Sequence, residues 1–337
     1  MRVTILGAGV AGLYCGVELA QRGIAVELRE RSDRLGADSC SWCAGGMLSP
    51  WCELADGAEP LIARLGRESM ALWRERHAGV REGGTLVLAA ARDSAELRRF
   101  AERAGGGQSC NREQIAALEP ELAERFERAI YFPEETHLDP RQVLPALAER
   151  LLQLGGRIHF GIGANAMPAA TGRIVDCRGL AARDVLPDLR GVRGEMLLVR
   201  SQELHISRPV RLLHPRAPLY VVPRGEGVYL IGATMIESDD NGPVTVRSAL
   251  ELLSVAYALH PAFGQARILE MSAQVRPAFP DNLPHIRRRG DHLYLNGLYR
   301  HGFLLAPALA VRVAEVLLHD RHYPELIDED HRERRLA

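Results

Sequence analysis

The segment Gly7-Ala8-Gly9-Val10-Ala11-Gly12 carries three glycines at the spacing a main chain needs to fold closely around a pyrophosphate. Gly7 permits a tight turn, Gly9 lets the backbone approach the phosphates, and Gly12 lets a helix lie close to a strand. The first helical turn, Val10 and Ala11 included, offers unpaired N–H groups to the anion. Glu30 follows at about the 20-residue distance where an acid meets the ribose hydroxyls of a bound nucleotide. An ordinary strand-to-helix turn would also tolerate the glycines, but the context favours the nucleotide. An apolar run, Arg2 to Leu6, leads into the glycines, a helical pattern continues to Gln21, and a second strand, Ala25 to Arg29, ends at Glu30. FAD and NAD share this fingerprint, so the choice between them lies elsewhere in the chain.

It lies in Ser39-Cys40-Ser41-Trp42-Cys43-Ala44-Gly45-Gly46-Met47-Leu48-Ser49-Pro50-Trp51-Cys52-Glu53. Gly45-Gly46 lets backbone amides close on a flat or charged ligand, and the Ser39 and Ser41 hydroxyls are placed to reach phosphate oxygens. A surface loop is the alternative for this stretch taken alone. It resembles the second FAD-contacting loop of the glycine oxidase and D-amino-acid oxidase group. Its second half, from Gly45, is similar to the glycine oxidases of thiamine thiazole synthesis. Leu219 to Arg224 with Ile231 to Met235, Val275 to Pro284, and Gly297 to Pro307 resemble segments that line flavin or substrate in that group. The resemblance runs in order over nearly the whole chain.

The resemblance implies FAD, held by Gly7, Gly9, Val10, Ala11, Gly12, Glu30, Arg31, Cys40, Ser41, Gly45, Gly46 and Met47. It adds the turn Tyr299-Arg300-His301-Gly302-Phe303-Leu304, which leads a helix toward the flavin pyrimidine, where N–H groups stabilise negative charge on the reduced ring. It also implies that Arg276 pairs with the substrate carboxylate, that Tyr220 and Arg300 face it across the pocket, and that Met235 packs near the substrate. The implied reaction is oxidative deamination of glycine. A hydride passes from Cα to flavin N5, an imine leaves for glyoxylate and ammonia, and dioxygen becomes hydrogen peroxide. The imine would be handed to a thiazole synthase, and a homo-oligomer is expected. Two departures stand out: Cys40, Trp42 and Cys43 replace an alanine-rich loop, and Pro218 stands where some members have histidine.

The residues themselves support this chemistry. A guanidinium presents a planar two-pronged donor set that matches a carboxylate and fixes Cα against one face of a flavin. Arg276 precedes Pro277 at the end of an apolar strand, which favours a pocket over a surface ion pair worth only about 0–1 kcal/mol. Tyr220 either hydrogen-bonds the same carboxylate or packs as a strand aromatic, and Met235 reads as wall-lining or core filler. No acid–base side chain is required, since the cofactor supplies the redox chemistry. The C-x-x-C pair Cys40 and Cys43 has no second pair at ligand spacing, and His285, His292 and His301 share no helical face, so free thiols and no metal are expected. An oxidase or dehydrogenase of another small amine, such as sarcosine or a D-amino acid, is the nearest alternative. A binding-only flavoprotein is a third reading, against which a carboxylate clamp of Arg276 with Arg300 argues.

These residues need a scaffold, and the sequence outlines one. The 337 residues exceed a usual single domain, and the net charge of −1 from 42 basic and 43 acidic residues gives no field for nucleic acid or anionic membranes. No uninterrupted apolar run spans a bilayer and no signal peptide is evident, so a cytoplasmic protein is expected. The fold class read is α/β, a Rossmann-type FAD-binding domain with an interleaved substrate domain containing a mixed or antiparallel β-sheet. The FAD-binding part is placed at 1–80, 138–182 and 275–337, and the substrate part at 81–137 and 183–274. Helices are expected over Pro60 to Ala78, Asp93 to Ala104, Asn111 to Leu118, Asp139 to Leu154, Thr245 to Leu259 and Phe303 to His319. Strands are expected over Gly84 to Ala89, Ala129 to Phe132, Gly156 to Phe160, Arg173 to Cys177, Gly194 to Arg200, Val210 to His214, Tyr220 to Pro223, Val228 to Ala233 and, last in the chain, Leu293 to Asn296. The tail from Asp328 to Ala337 is charged and expected to fray.

Overall fold

A computed structural model describes residues 1–162, 172–214 and 218–329. Seven strands form one sheet in the order Ile327–Glu329, His285–Arg289, His292–Asn296, Arg173–Asp176, β1 (Arg2–Leu6), β2 (Ala25–Arg29) and Arg157–His159. β1 pairs in parallel with β2 on one side and Arg173–Asp176 on the other. Helices cover both faces of such a strand, which explains why Val3 to Leu6 are all buried and show no polar alternation. The helix α1 (Val10–Gln21) crosses back over the sheet from the Gly7 turn.

The second sheet has nine strands. Thr85–Ala89 and Val210–Leu213 run parallel, while the other described pairings are antiparallel, so the sheet is mixed. The chain moves from the first sheet to the second and back twice, which is the expected interleaving. Its longest pairing joins Arg190–Arg200 to the 12-residue strand Arg267–Ala278, near the end of which stands Arg276. The helix Val246–Leu259 lies over this sheet through Leu252, Val255, Ala256 and Leu259.

Local patterns located most elements within a few residues, and the differences have physical causes. Arg190–Arg200 begins four residues earlier than expected, because pairing with Arg267–Ala278 carries it past the apolar run Met196 to Val199. The stretch expected as a loop to Glu53 turns into a helix, α2 (Pro50–Ala55), at Pro50. Leu293 to Asn296 is not the last strand, since Ile327–Glu329 adds to the sheet beside His285–Arg289. Residues 330–337 of the expected frayed tail lie outside the described residues.

Among the described residues one helix, Gly302–His319, has the length and mean hydropathy of a membrane span, although Arg312 and Glu315 interrupt its apolar run. Its apolar surface is buried against α1 and α3 (Pro60–Arg76). Gly66 of α3 leaves room for Leu304, since a Cβ there would stand 2.9 Å from Leu304 Cδ1. Pro307 lies inside the helix and has no N–H to offer the Phe303 carbonyl one turn back. The Trp73 indole fills that vacancy, donating Nε1–H to Phe303 O at 2.8 Å, while Ser69 Oγ accepts the Ala308 N–H at 3.1 Å. Two α3 side chains one turn apart thus repair the irregularity and fix the start of the C-terminal helix.

Trp73 is fully buried. Trp73→Ala should lower the unfolding free energy in urea by about 3–5 kcal/mol. Trp73→Phe keeps most of the bulk and orphans only the carbonyl, so it should cost about 1–3 kcal/mol. Equal losses for the two would contradict this account of the Phe303 carbonyl.

Candidate active site

At the end of β1 opens a cavity of about 650 Å³, lined by Gly7, Gly9, Val10, Ala11, Glu30 and Arg31 among others. Gly7 has φ +95° and its missing Cβ would lie 2.7 Å from the Cys177 carbonyl oxygen, so neither space nor backbone admits a side chain. Gly12 is not among the residues that line this cavity. A Cβ there would meet Gly7 O at 1.9 Å, so its part is the close crossing of α1 over the turn. At Gly9 the Ser41 and Ser39 hydroxyls converge, 3.4 and 3.6 Å from where a Cβ would stand, and Ser41 Oγ accepts the Val10 N–H at 3.1 Å. Glu30 is braced by Ala8 N–H on Oε2 at 2.7 Å and by Ser32 N–H and hydroxyl on Oε1.

A second cavity, of about 350 Å³, continues inward and shares Cys40, Ser41, Gln274, Tyr299 and Gly302 with the first. Gly45, Gly46 and Met47 form part of its wall, and the turn Tyr299 to Leu304 forms another. Tyr220 and Met235 line it too. The Tyr220 ring fits between two glycines, for a Cβ at Gly45 or Gly232 would come within 3.2 or 2.9 Å of ring atoms. Burial pushes its phenol pKa above the ordinary value, so the hydroxyl keeps its proton at neutral pH. Met235 is half exposed at the cavity's edge. The Nδ1 of buried His301 has no hydrogen-bond partner among the described residues.

An elongated group with a diphosphate at one end and a flat polar ring at the other fits this pair of connected spaces. The glycine turn and helix start would hold the diphosphate, and the turn at Gly302 would meet the ring. FAD is such a group, and the expected cofactor residues, Gly12 apart, line one space or both.

The charges in the inner cavity are unevenly matched. Arg300 Nη2 lies 2.6 Å from Glu53 and 3.4 Å from Asp56, Arg211 pairs with Asp56, and His301 Nε2 is 2.9 Å from the same Glu53 oxygen. Burial pushes the Glu53 pKa up, but the Arg300 charge and the His301 hydrogen bond outweigh it and hold the carboxyl well below the usual range. Arg276 is different. Its Nη1 donates to Thr234 O at 3.2 Å, and among the described residues no carboxylate lies within 4 Å of its guanidinium. Gly194 on the neighbouring strand makes space for it, because a Cβ there would sit 2.1 Å from Arg276 Nη2.

The expected residues therefore come together, but Arg276 and Arg300 do not form a pair of free cations, since Arg300 is already held by protein carboxylates. Glu53, Asp56, Arg211 and Gln274 escaped sequence reading as site residues. A signal existed for the first: Ser49-Pro50 with an acid at Glu53 has the look of a helix start. For Arg211, inside a strand, no local signal exists.

The model of the FAD dependent oxidoreductase family DAO matches residues 2–316. A Rhizobium etli protein named as a thiamine biosynthesis oxidoreductase, ThiO, is 52% identical over 326 residues, 96% of this chain and 99% of that one. The bifunctional protein ThiO/ThiG of Synechocystis is 28% identical over 349 residues, 96% of this chain and 52% of that longer protein. The crystal structure of glycine oxidase from Geobacillus kaustophilus matches with a TM-score of 0.80 and 25% identity, covering 96% of each chain. Both cavities and every strand but Ile327–Glu329 of the two sheets fall within the matched residues, and the chain belongs to the DAO family of FAD-dependent oxidoreductases.

Proposed function

We propose that the chain is a cytoplasmic FAD-dependent glycine oxidase whose imine product supplies thiazole assembly for thiamine. The observation that carries this reading is the unpaired Arg276 guanidinium inside a small cavity contiguous with the nucleotide site. FAD, which Gly7, Gly9, Val10, Glu30 and the turn at Gly302 would hold, would supply the redox chemistry as hydride acceptor from the substrate Cα and electron donor to dioxygen.

The chain's own work is placement. Arg276 receives the substrate carboxylate through its two-pronged donor set, and the Tyr220 hydroxyl, which has no protein partner among the described residues, completes the carboxylate's hydrogen bonds. Two fixed points on one small carboxylate leave Cα little freedom, and orientation of this kind accounts for a large part of catalysis in reactions that need no acid–base group. Glu53 and Asp56 offset Arg300 and Arg211, so the cavity presents one net positive charge to an amino acid's carboxylate. The hand-over of the imine to a thiazole synthase is supported by the joining of ThiO and ThiG in one Synechocystis protein.

Anaerobic titration of the yellow protein with glycine, sarcosine and D-alanine should bleach the visible flavin band with glycine, and readmitted air should yield peroxide. Bleaching by another amine alone would transfer the function to that amine, and bleaching by none would leave only the fold.

Arg276→Ala should raise KM for glycine by roughly a hundredfold, the loss of a charge-assisted pair worth about 3 kcal/mol, with FAD retained. An unchanged KM would remove Arg276 from the substrate site. Gly194→Ala meets only the flexible end of Arg276, so it should leave folding and FAD content intact while raising KM in the same direction.

A further inference from the structure

The inner cavity is lined by a second guanidinium, Arg300, besides Arg276. Arg276 Nη1 reaches Thr234 O at 3.2 Å, and Arg300 Nη1 reaches the sulfur of the adjacent residue, Met235, at 3.5 Å. Both guanidiniums line the same small cavity, so a molecule with two carboxylates would meet two cations there. Only the first is open. The second is filled from within the protein, by Glu53 at 2.6 Å and Asp56 at 3.4 Å on Arg300 Nη2.

Each acid has a second partner in the protein. Glu53 is also held by His301 Nε2 at 2.9 Å, and Asp56 is paired with Arg211. Both stand on or at the end of the short helix α2, whose first turn is fixed by Cys52 N–H donating to buried Glu135 Oε1 at 2.9 Å. Resting on the reading of Arg276 as the carboxylate clamp, we propose that Glu53 and Asp56 are specificity-determining residues. They act as built-in carboxylates on Arg300, limiting the site to amines with one carboxylate and rejecting dicarboxylic amines such as iminodiacetate or aspartate. A second ligand carboxylate would have to break a pair held on both sides and would then face two anions, and specificity of this kind comes from repulsion as much as from fit.

The test uses the FAD-loaded enzyme and two unreactive probes, acetate and malonate, followed by perturbation of the flavin band and by calorimetry. Wild type should bind acetate, with malonate no tighter. Glu53→Gln, nearly isosteric, should raise the affinity for malonate relative to acetate by about tenfold or more, since an Arg300 fork becomes available to a second carboxylate. Adding Arg300→Met should cancel that gain, which a general loosening of the cavity would not. If Glu53→Gln fails to fold, Asp56→Asn should move the ratio in the same direction by a smaller factor. Malonate binding wild type ten times tighter than acetate, or a ratio unmoved by these variants while acetate still binds, would overturn the proposal alone. Failure of acetate to bind wild type would strike the Arg276 reading, and this one with it.

Discussion

Charge can be placed inside a protein only when it is matched, because an ion stripped of water without a partner costs far more than a folded chain can spare. The inner cavity holds Arg211, Arg276 and Arg300 around Glu53 and Asp56, together with the imidazole of His301. Two of the cations are matched by protein and one is not. An unmatched guanidinium in a partly closed space is a standing demand for an anion, and the rest of the architecture serves to keep that demand in one position. Gly194 gives the side chain its room, Thr234 gives it one carbonyl, and the paired charges nearby fix what surrounds it.

Those positions depend on packing far from the charge. Arg300 and His301 belong to the turn that starts the C-terminal helix, and the start of that helix is set where Trp73 and Ser69 of α3 repair the gap left by Pro307. On the other side, Glu53 and Asp56 are carried by α2, which leads directly into α3. The two halves of the ion network therefore rest on one helix–helix contact, and the aromatic packing of Trp73 with Tyr14 and Phe303 ties that contact to α1, the helix of the nucleotide turn. Cofactor site and charge network share a foundation.

How much of this the sequence revealed follows from the range of the interactions. The glycine turn, β1, α1, β2 and Glu30 form a unit within the first thirty residues, where spacing alone carries the geometry, and they were legible. Cavity residues such as Arg276, Tyr220 and Arg300 were found through family resemblance rather than through pattern. What neither route found is long-range. Arg211 meets Asp56 across 155 positions, and Arg300 meets it across 244. The relation of Gly194 to Arg276 arises only from strand register, with Gly194 opposite Gln274 and Arg276 two residues along on the same face. Hydrophobic periodicity contains no term for such pairings. The C-terminal helix shows the reverse case, a sequence apolar enough for a bilayer whose actual surroundings are two other helices.

The five residues common to both cavities, Cys40, Ser41, Gln274, Tyr299 and Gly302, form the border between them. FAD bound across that border would itself form part of the wall of the substrate chamber. Selectivity for an amine is then a joint property of chain and cofactor: a molecule that loses FAD loses the boundary of its substrate chamber as well as its redox centre, and regains both in a single binding event.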